Sequence, residues 1–234
     1  MRLNRFFLEF QPEAKIVRIL DKEIIHQIRN VLRLKEGNEV IIFNNNLKEA
    51  LTKIVKIDKN FLDLEILEIK ENLIEPKREV ILNCAILKKE NFELVVQKAV
   101  EIGIKEIVPL ITERTVKINL NFERLEKIIK EASEQSGRGK LPLISKPIDF
   151  EKAIVLSRGN ANLFFDVKGN KFIPSLLKDF NNKKIGLFIG PEGGWDEKEL
   201  ALAKNKGFKI VSLSPLTFRA ETAAIIVCYL ALNL

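Results

Sequence analysis

The 234-residue chain has one His, two Cys, one Trp, one Met and one Tyr, and the scarcities exclude whole classes of function. One His and two distant cysteines, Cys84 and Cys228, cannot assemble a four-ligand zinc site, so no metal centre is expected. No disulfide staple is needed either. At this length folding buries about 70–75% of the unfolded surface, so a core forms without staples. No apolar run approaches the ~18 residues of a spanning helix, so no membrane partner is expected. The opening stretch MRLNRFFLEFQPEAK is broken by charge every few positions, which argues against a cleaved leader. The expectation is a cytoplasmic protein with reduced thiols. Missing as well are a GxSxG elbow, a GxGxxG fingerprint and a phosphate loop with its Lys and Ser or Thr. Nucleophilic and nucleotide-dependent chemistries therefore have little support, and transferases that position two substrates remain.

What is present is an ordinary globular composition, 46% apolar and 30% charged, with 39 Lys and Arg against 32 Asp and Glu. The excess is uneven. Residues 1–35 carry eight basic and four acidic side chains, whereas residues 36–70 carry five and seven. Arg5 sits beside Phe6 and Phe7, and arginines beside exposed rings suit a nucleic acid, whose phosphates pair with guanidinium while bases stack. Alternation along a strand nevertheless turns at least one of the two rings toward a core. His26, Arg29 and Arg33, spaced three and four, share one face of an expected helix and extend the basic stripe.

The first ~70 residues read as short strands with one helix, a small barrel or sandwich. Arg5–Phe10, Glu39–Phe43, Ala50–Ile57 and Phe61–Ile69 have strand character, and Asp21 is placed to cap a helix presenting Ile24, Ile25, Ile28 and Leu32. Glu71–Arg78 reads as a linker. From Glu79 the rhythm becomes strand then helix, which predicts a parallel sheet with helices on both faces. Val80–Leu87, Ile107–Ile111, Asn162–Asp166, Ile185–Ile189 and Phe208–Leu213 are its strands.

Several stretches at the strand ends carry chemistry. Gly190-Pro191-Glu192-Gly193-Gly194 lies between an apolar strand and a helix that Asp196 can cap, at the sheet edge where open α/β folds bind ligands. Its glycines permit close backbone approach, yet Trp195-Asp196 follows where a phosphate loop needs other residues. The ligand expected is one held without phosphate contacts. In Leu213–Ala224 a helix begins with Arg219, Glu221 and Thr222. Glu221 suits the helix dipole there, whereas a cation such as Arg219 is disfavoured, so Arg219 either binds an anion or pairs with Glu221. Glu131–Lys140 closes a helix, and Thr112–Thr115, with Arg114, follows a strand.

Together these segments resemble the RsmE family, SPOUT-class methyltransferases acting on a uridine N3 of small-subunit (16S) ribosomal RNA. The resemblance spans almost the whole chain: RFF at Arg5–Phe7, HQIRNVLRLKEG at His26–Gly37, QKAVEIGIKEIVPLITERTV at Gln97–Val116, EASEQSGR at Glu131–Arg138, IGPEGGW at Ile189–Trp195 and FRAETAA at Phe218–Ala224. It implies an N-terminal PUA-like RNA-binding β-barrel over residues 1–71. Over residues 72–234 it implies a SPOUT α/β domain whose chain end threads a trefoil knot, binding S-adenosylmethionine and forming a homodimer. By motif, Ile189, Gly190, Pro191, Glu192, Gly193 and Gly194 would form one loop around the methyl donor. Leu213, Ser214, Leu216, Thr217, Phe218 and Ala220 would form the other. Two positions depart from the family: Ser214 replaces a usual Gly, and Leu216 a commonly basic residue. A left-handed conformation at Ser214 would be strained.

For methyl transfer to N3, Arg219, aided by Arg138 or Arg114, is expected to stabilise the charge spreading onto O2 and O4. Glu221 is expected to accept the N3 proton, or else to orient Arg219. Arg5, Phe6, His26, Arg29 and Arg33 are expected to dock RNA. A rival reading from another class is a catalytically silent RNA-binding or ribosome-assembly protein on the same scaffold.

Overall fold

The structure, a computed structural model, describes residues 3–116, 119–178, 180 and 184–234. The chain divides into two compact units. One holds the residues up to Glu75 together with Ser133–Leu141; the other holds Pro76–Ala132 and Pro142–Leu234.

The first unit is a five-stranded sheet built from β1 (Arg5–Phe7), β2 (Ile16–Ile19), β3 (Glu39–Phe43), β4 (Lys48–Ile57) and β5 (Leu62–Glu71), in the order β1-β3-β4-β5-β2. Only the β1–β3 pair is parallel. Alternating apolar positions turn Val40, Ile42, Ile54, Leu62 and Leu64 inward, and the sheet curls over this core. A short helix, α1 (Lys22–His26), covers it. Asp21 caps α1 as expected, its carboxylate accepting from the Glu23 and Ile24 amides at 2.8 and 3.2 Å. The helix then widens into a π-turn over Gln27–Val31. Wider turns rotate later residues off the apolar stripe. Ile24, Ile25 and Ile28 are therefore buried while Leu32 is exposed, and Arg33, at φ +54°, lies beyond the helix. The expected common helical face of His26, Arg29 and Arg33 does not form, although all three are exposed.

Two expectations for this unit are corrected. Phe6 is only 1% exposed and packs in the core, so its ring cannot stack on a base. Arg5 is equally committed. Its side chain, 8% exposed, donates to Glu49 Oε2 at 2.8 Å and to the Arg138 carbonyl at 3.2 Å, with its guanidinium 5.0 Å from the Phe43 ring centroid. Asn72 also donates to Glu49 and to the Gly137 carbonyl, so residues 137–138 are bound to this sheet through one buried network. Burial raises the Glu49 pKa, but the hydrogen bond and charge of Arg5, joined by hydrogen bonds from Asn72 and Lys70, together hold the group below its ordinary value.

The second unit is an all-parallel sheet. Its strands are β6 (Val80–Ala85), β7 (Glu106–Ile111), β8 (Leu143–Ile144), β9 (Ile148–Asp149), β10 (Ala161–Lys171), β11 (Ile185–Ile189) and β12 (Lys209–Ser212). The order is β12-β10-β11-β6-β7-β8, with β9 also on β7. Its helices are α2 (Lys89–Ile102), α3 (Phe122–Ser136), α4 (Phe150–Leu156), α5 (Ser175–Lys178), α6 (Glu197–Asn205) and α7 (Ala220–Asn233); the last turn of α3 belongs to the first unit. One face of the sheet packs Phe164 and Phe188 with Phe150 of α4, Ala203 of α6, Trp195 and Phe208. Cys84, on the other face of β6, lies near Cys228 of α7. After edge strand β12 the chain returns inward, and α7 rests on β6, β11 and α2. A knotted chain end of the expected kind requires such a return path.

Candidate active site

The carboxyl ends of β10, β11 and β12 surround a cavity of about 620 Å³ in the second unit, and Lys88 and Asn91 at the start of α2 complete its lining. Its position follows the rule for open parallel sheets, and its size falls within the ~300–1,000 Å³ usual for small-molecule sites.

The loop after β11 is shaped by its own aromatic residue. Trp195 Nε1 donates to the Phe165 carbonyl at 3.0 Å, and the indole lies 4.3 Å from the Phe164 ring, centroid to centroid, tilted by 31°. A Cβ on Gly190 would lie 3.0 Å from that indole, so residue 190 is glycine because the ring passes beneath it. Gly194, at φ +70°, turns the chain and donates to the Pro191 carbonyl at 2.9 Å. Asp196 then caps α6 through a reciprocal capping box with Glu199. Glu199 also accepts from the Glu113 amide at 3.0 Å. Arg114 donates to the Gly193 carbonyl at 3.0 Å and pairs with Asp196 at 3.4 Å. The Thr112–Thr115 segment is thus fastened to the glycine loop from behind, with Arg114 outside the lining.

The loop after β12 braces itself. Ser212 Oγ donates to the Ser214 carbonyl at 3.2 Å, and the Leu216 amide donates to Ser214 Oγ at 3.0 Å. Ser214 does not have a positive φ, so serine replaces glycine there without strain. Leu216 is 74% exposed, and Phe218 is also exposed at the rim. Apolar side chains held out of a core beside a cavity mark a surface that gains by being covered.

Arg219 and Glu221 stand where α7 begins. Arg219 occupies the N-cap without a capping hydrogen bond, and its exposed side chain has no partner among the described residues. A cation against the positive end of a helix dipole is unfavourable unless an anion joins it. Glu221 is 7% exposed and lines the cavity, and its Oε2 has no hydrogen-bond partner among the described residues. Carboxylate oxygens left bare in a buried wall are costly, so this one is placed to receive a proton or a donor group. Among the described residues no Arg219–Glu221 ion pair forms, so the expected orienting contact of Glu221 on Arg219 is not made.

Of the residues expected to hold the donor, all except Gly193 line the cavity, and Arg219 and Glu221 join them. The structure does not bring Arg138 there. Its guanidinium, 8% exposed, makes a two-pronged pair with Glu75 at 3.1 and 2.8 Å in the first unit. Nine other lining residues carried no expectation: Trp195, Val211, Ser212 and Ala223 adjoin the expected stretches, whereas Lys88, Asn91, Phe165, Asp166 and Val167 lie outside them. The available signal was positional, since all five follow or end apolar strands on the functional edge of the sheet. Both cysteines are free and buried, and burial raises both thiols well above their ordinary pKa, which suits neither to nucleophilic attack. Among the described residues no three metal-ligating side chains cluster, and no helix is long and apolar enough to cross a membrane.

The donor set fits an S-adenosylmethionine molecule. Two backbone-rich loops offer amides and carbonyls to a nucleoside, apolar Leu213, Val167 and Phe218 suit its stem, and the carboxylates of Glu221 and Asp166 suit positive charge.

A parallel sheet with a cradle at its carboxyl edge and a small curled β unit correspond to the two domains of one class of RNA-modifying enzymes, the RNA methyltransferases. The chain belongs to the RNA methyltransferase family, whose domain model matches residues 74–232, and the model of the RNA methyltransferase PUA domain matches residues 20–67. It is 34% identical to the ribosomal RNA small subunit methyltransferase E of Rickettsia conorii over 232 residues, covering 96% of this chain and 93% of that protein. To the protein of the same name from Mesomycoplasma hyopneumoniae it is 31% identical, over 95% of this chain and 96% of the other. Among solved structures, the ribosomal RNA small subunit methyltransferase E of Neisseria gonorrhoeae bound to S-adenosyl methionine superposes with a TM-score of 0.88 at 27% identity, covering 97% and 95% of the two chains.

Proposed function

We propose that this protein methylates N3 of a uridine in small-subunit ribosomal RNA, using S-adenosylmethionine, in the cytoplasm and as a homodimer. The observation that carries the reading is the cavity itself, where two glycine- and serine-bearing loops meet an Arg219 and a Glu221 oxygen that have no partner among the described residues. When bound, S-adenosylmethionine would supply an electrophilic methyl group, its sulfur keeping the electron pair of the broken S–CH3 bond and leaving as a neutral thioether.

The chain's own residues do the rest. Gly190–Gly194 and Leu213–Ala220 hold the donor, largely through backbone groups. Glu221 takes the N3 proton, and the lone pair left on N3 forms the new N–C bond. While that proton leaves, negative charge spreads onto O2 and O4, and Arg219 is the cation placed to meet it. Arg114 holds the Gly193 carbonyl and so keeps the first loop in place. Most of the rate comes from alignment, because a direct displacement needs little covalent help. The exposed His26, Arg29 and Arg33 of the first unit are assigned to RNA docking. Exposed Leu94 on α2 and Tyr229 on α7 support the dimer, since these two helices pack together and leave apolar groups outside.

The test is transfer of labelled methyl groups to small subunits from a strain lacking this gene, followed by mass spectrometry of the RNA. A single methylated uridine N3 is expected. Donor binding without transfer to any RNA would sink the reading.

A further inference from the structure

A second groove of about 450 Å³ lies in the second unit beside edge strand β12. Three exposed lysines line it: Lys168 from β10, Lys204 from the last turn of α6 and Lys209 at the start of β12. Its relation to the donor cavity comes from one irregularity in the sheet. The β10–β12 pairing breaks between Phe165 and Asn170, so Asp166–Gly169 bulges out of the ladder. Asp166 and Val167 line the donor cavity, whereas Lys168, Gly169 and Asn170 line the groove, and Val211 lines both. A Cβ on Gly169 would fall 2.5 to 2.7 Å from the Val211 backbone, so glycine is what lets the bulge lie against β12.

Two of the lysines have ordinary explanations, which do not extend to the third. Lys204 suits the negative end of α6, and Lys209 on an edge strand discourages strand pairing. Neither reason applies to Lys168 on the bulge. Its carboxylate neighbour, Glu197 at 3.6 Å, is an exposed partner, and such pairs contribute little. Lys209 Nζ lies 5.2 Å from the Phe180 ring centroid. The result is a lysine-lined groove that shares a wall with the donor cavity.

We propose that this groove binds backbone phosphates of the RNA strand whose base enters the donor cavity; the inference rests on the function proposed above. Point charges on flexible stems suit phosphates, and phosphate contacts position a strand without reading its sequence.

The test uses the full chain carrying Lys168→Ala with Lys204→Ala, in a filter-binding titration of small-subunit ribosomal RNA across a salt series. Affinity at low salt should fall several-fold, and the log–log salt slope should become shallower by about 1.4, since each lost single-strand phosphate contact removes about 0.7. Donor affinity by calorimetry and the melting temperature should stay at wild-type values. Lys168→Arg with Lys204→Arg should restore the slope, because guanidinium also neutralises phosphate. The pair Lys168→Gln with Lys204→Gln repeats the charge loss with longer stems, covering any misfolding of the alanine variant. Wild-type affinity and slope in the neutral variants would overturn the groove assignment. RNA binding is read without the methyl donor, so a wild-type protein that binds RNA but transfers no methyl group overturns the proposed function and not this groove.

Discussion

Three arginines of the first unit and the arginine of the donor cavity show opposite uses of one side chain. Arg5, Arg18 and Arg138 are paired with Glu49, Asp63 and Glu75, Arg18 in a two-pronged bond at 2.7 and 2.8 Å. Arg219 stands at a helix N-terminus with no partner among the described residues. A guanidinium already matched by a carboxylate is part of the architecture; an unmatched one placed against a dipole is held for something that arrives. Composition counts both alike, so the +7 excess says how many positive charges exist and nothing of which are available.

The comparison breaks most easily at Arg5. Arg5→Ala leaves Glu49 buried without its main partner and should cost about 3–5 kcal/mol of stability, read as a drop in melting temperature. A variant as stable as wild type would show that the pair is dispensable. Arg219→Ala should behave in the opposite way, leaving the melting temperature alone and lowering kcat about 10²–10³-fold with donor affinity nearly unchanged. If only donor affinity fell, Arg219 would belong to donor binding instead. Next, Glu221→Gln should lower kcat by about 10²-fold, and full turnover in that variant would pass the proton to another acceptor.

Smaller effects sharpen the same contrast. The folded-state pKa of Glu49 lies below its ordinary value of 4.5. Its contribution to stability is therefore complete above that value and fades as pH falls through the folded pKa. Glu49→Gln should flatten this acid limb of the melting temperature against pH, and an unchanged limb would remove Glu49 as its source. Smallest in stability is Arg29→Ala with Arg33→Ala. These exposed changes should shift stability by about 0.5 kcal/mol or less, yet make the RNA salt slope shallower by about 1.4. An unaltered slope would take RNA docking away from this turn.

Some of this was legible in the residues. Asp21 as a cap, the alternating strands of the curled sheet, the apolar central strands and the two donor loops all depend on contacts within a few positions, which spacing records directly. The burial of Phe6 was not legible, because a strand's period of two says that one neighbour faces inward without saying which; Arg5, on the opposite face, is covered through Glu49, 44 positions away. Arg138 looked available beside two glycines, and its partner Glu75 lies 63 positions away. The π-turn after His26 has no signature in its side chains and moved Arg33 off the expected face.

Sequence alone determined the layered α/β class, the second sheet's parallel strands and the position of the glycine loop, since periodicity and turn chemistry act locally. Only the folded chain decided which charges are consumed and which stay open, and that a bulge at Asp166–Gly169 sets a lysine-lined groove beside the donor cavity. Pairing between distant residues depends on where the whole backbone brings them, and no local pattern encodes that distance.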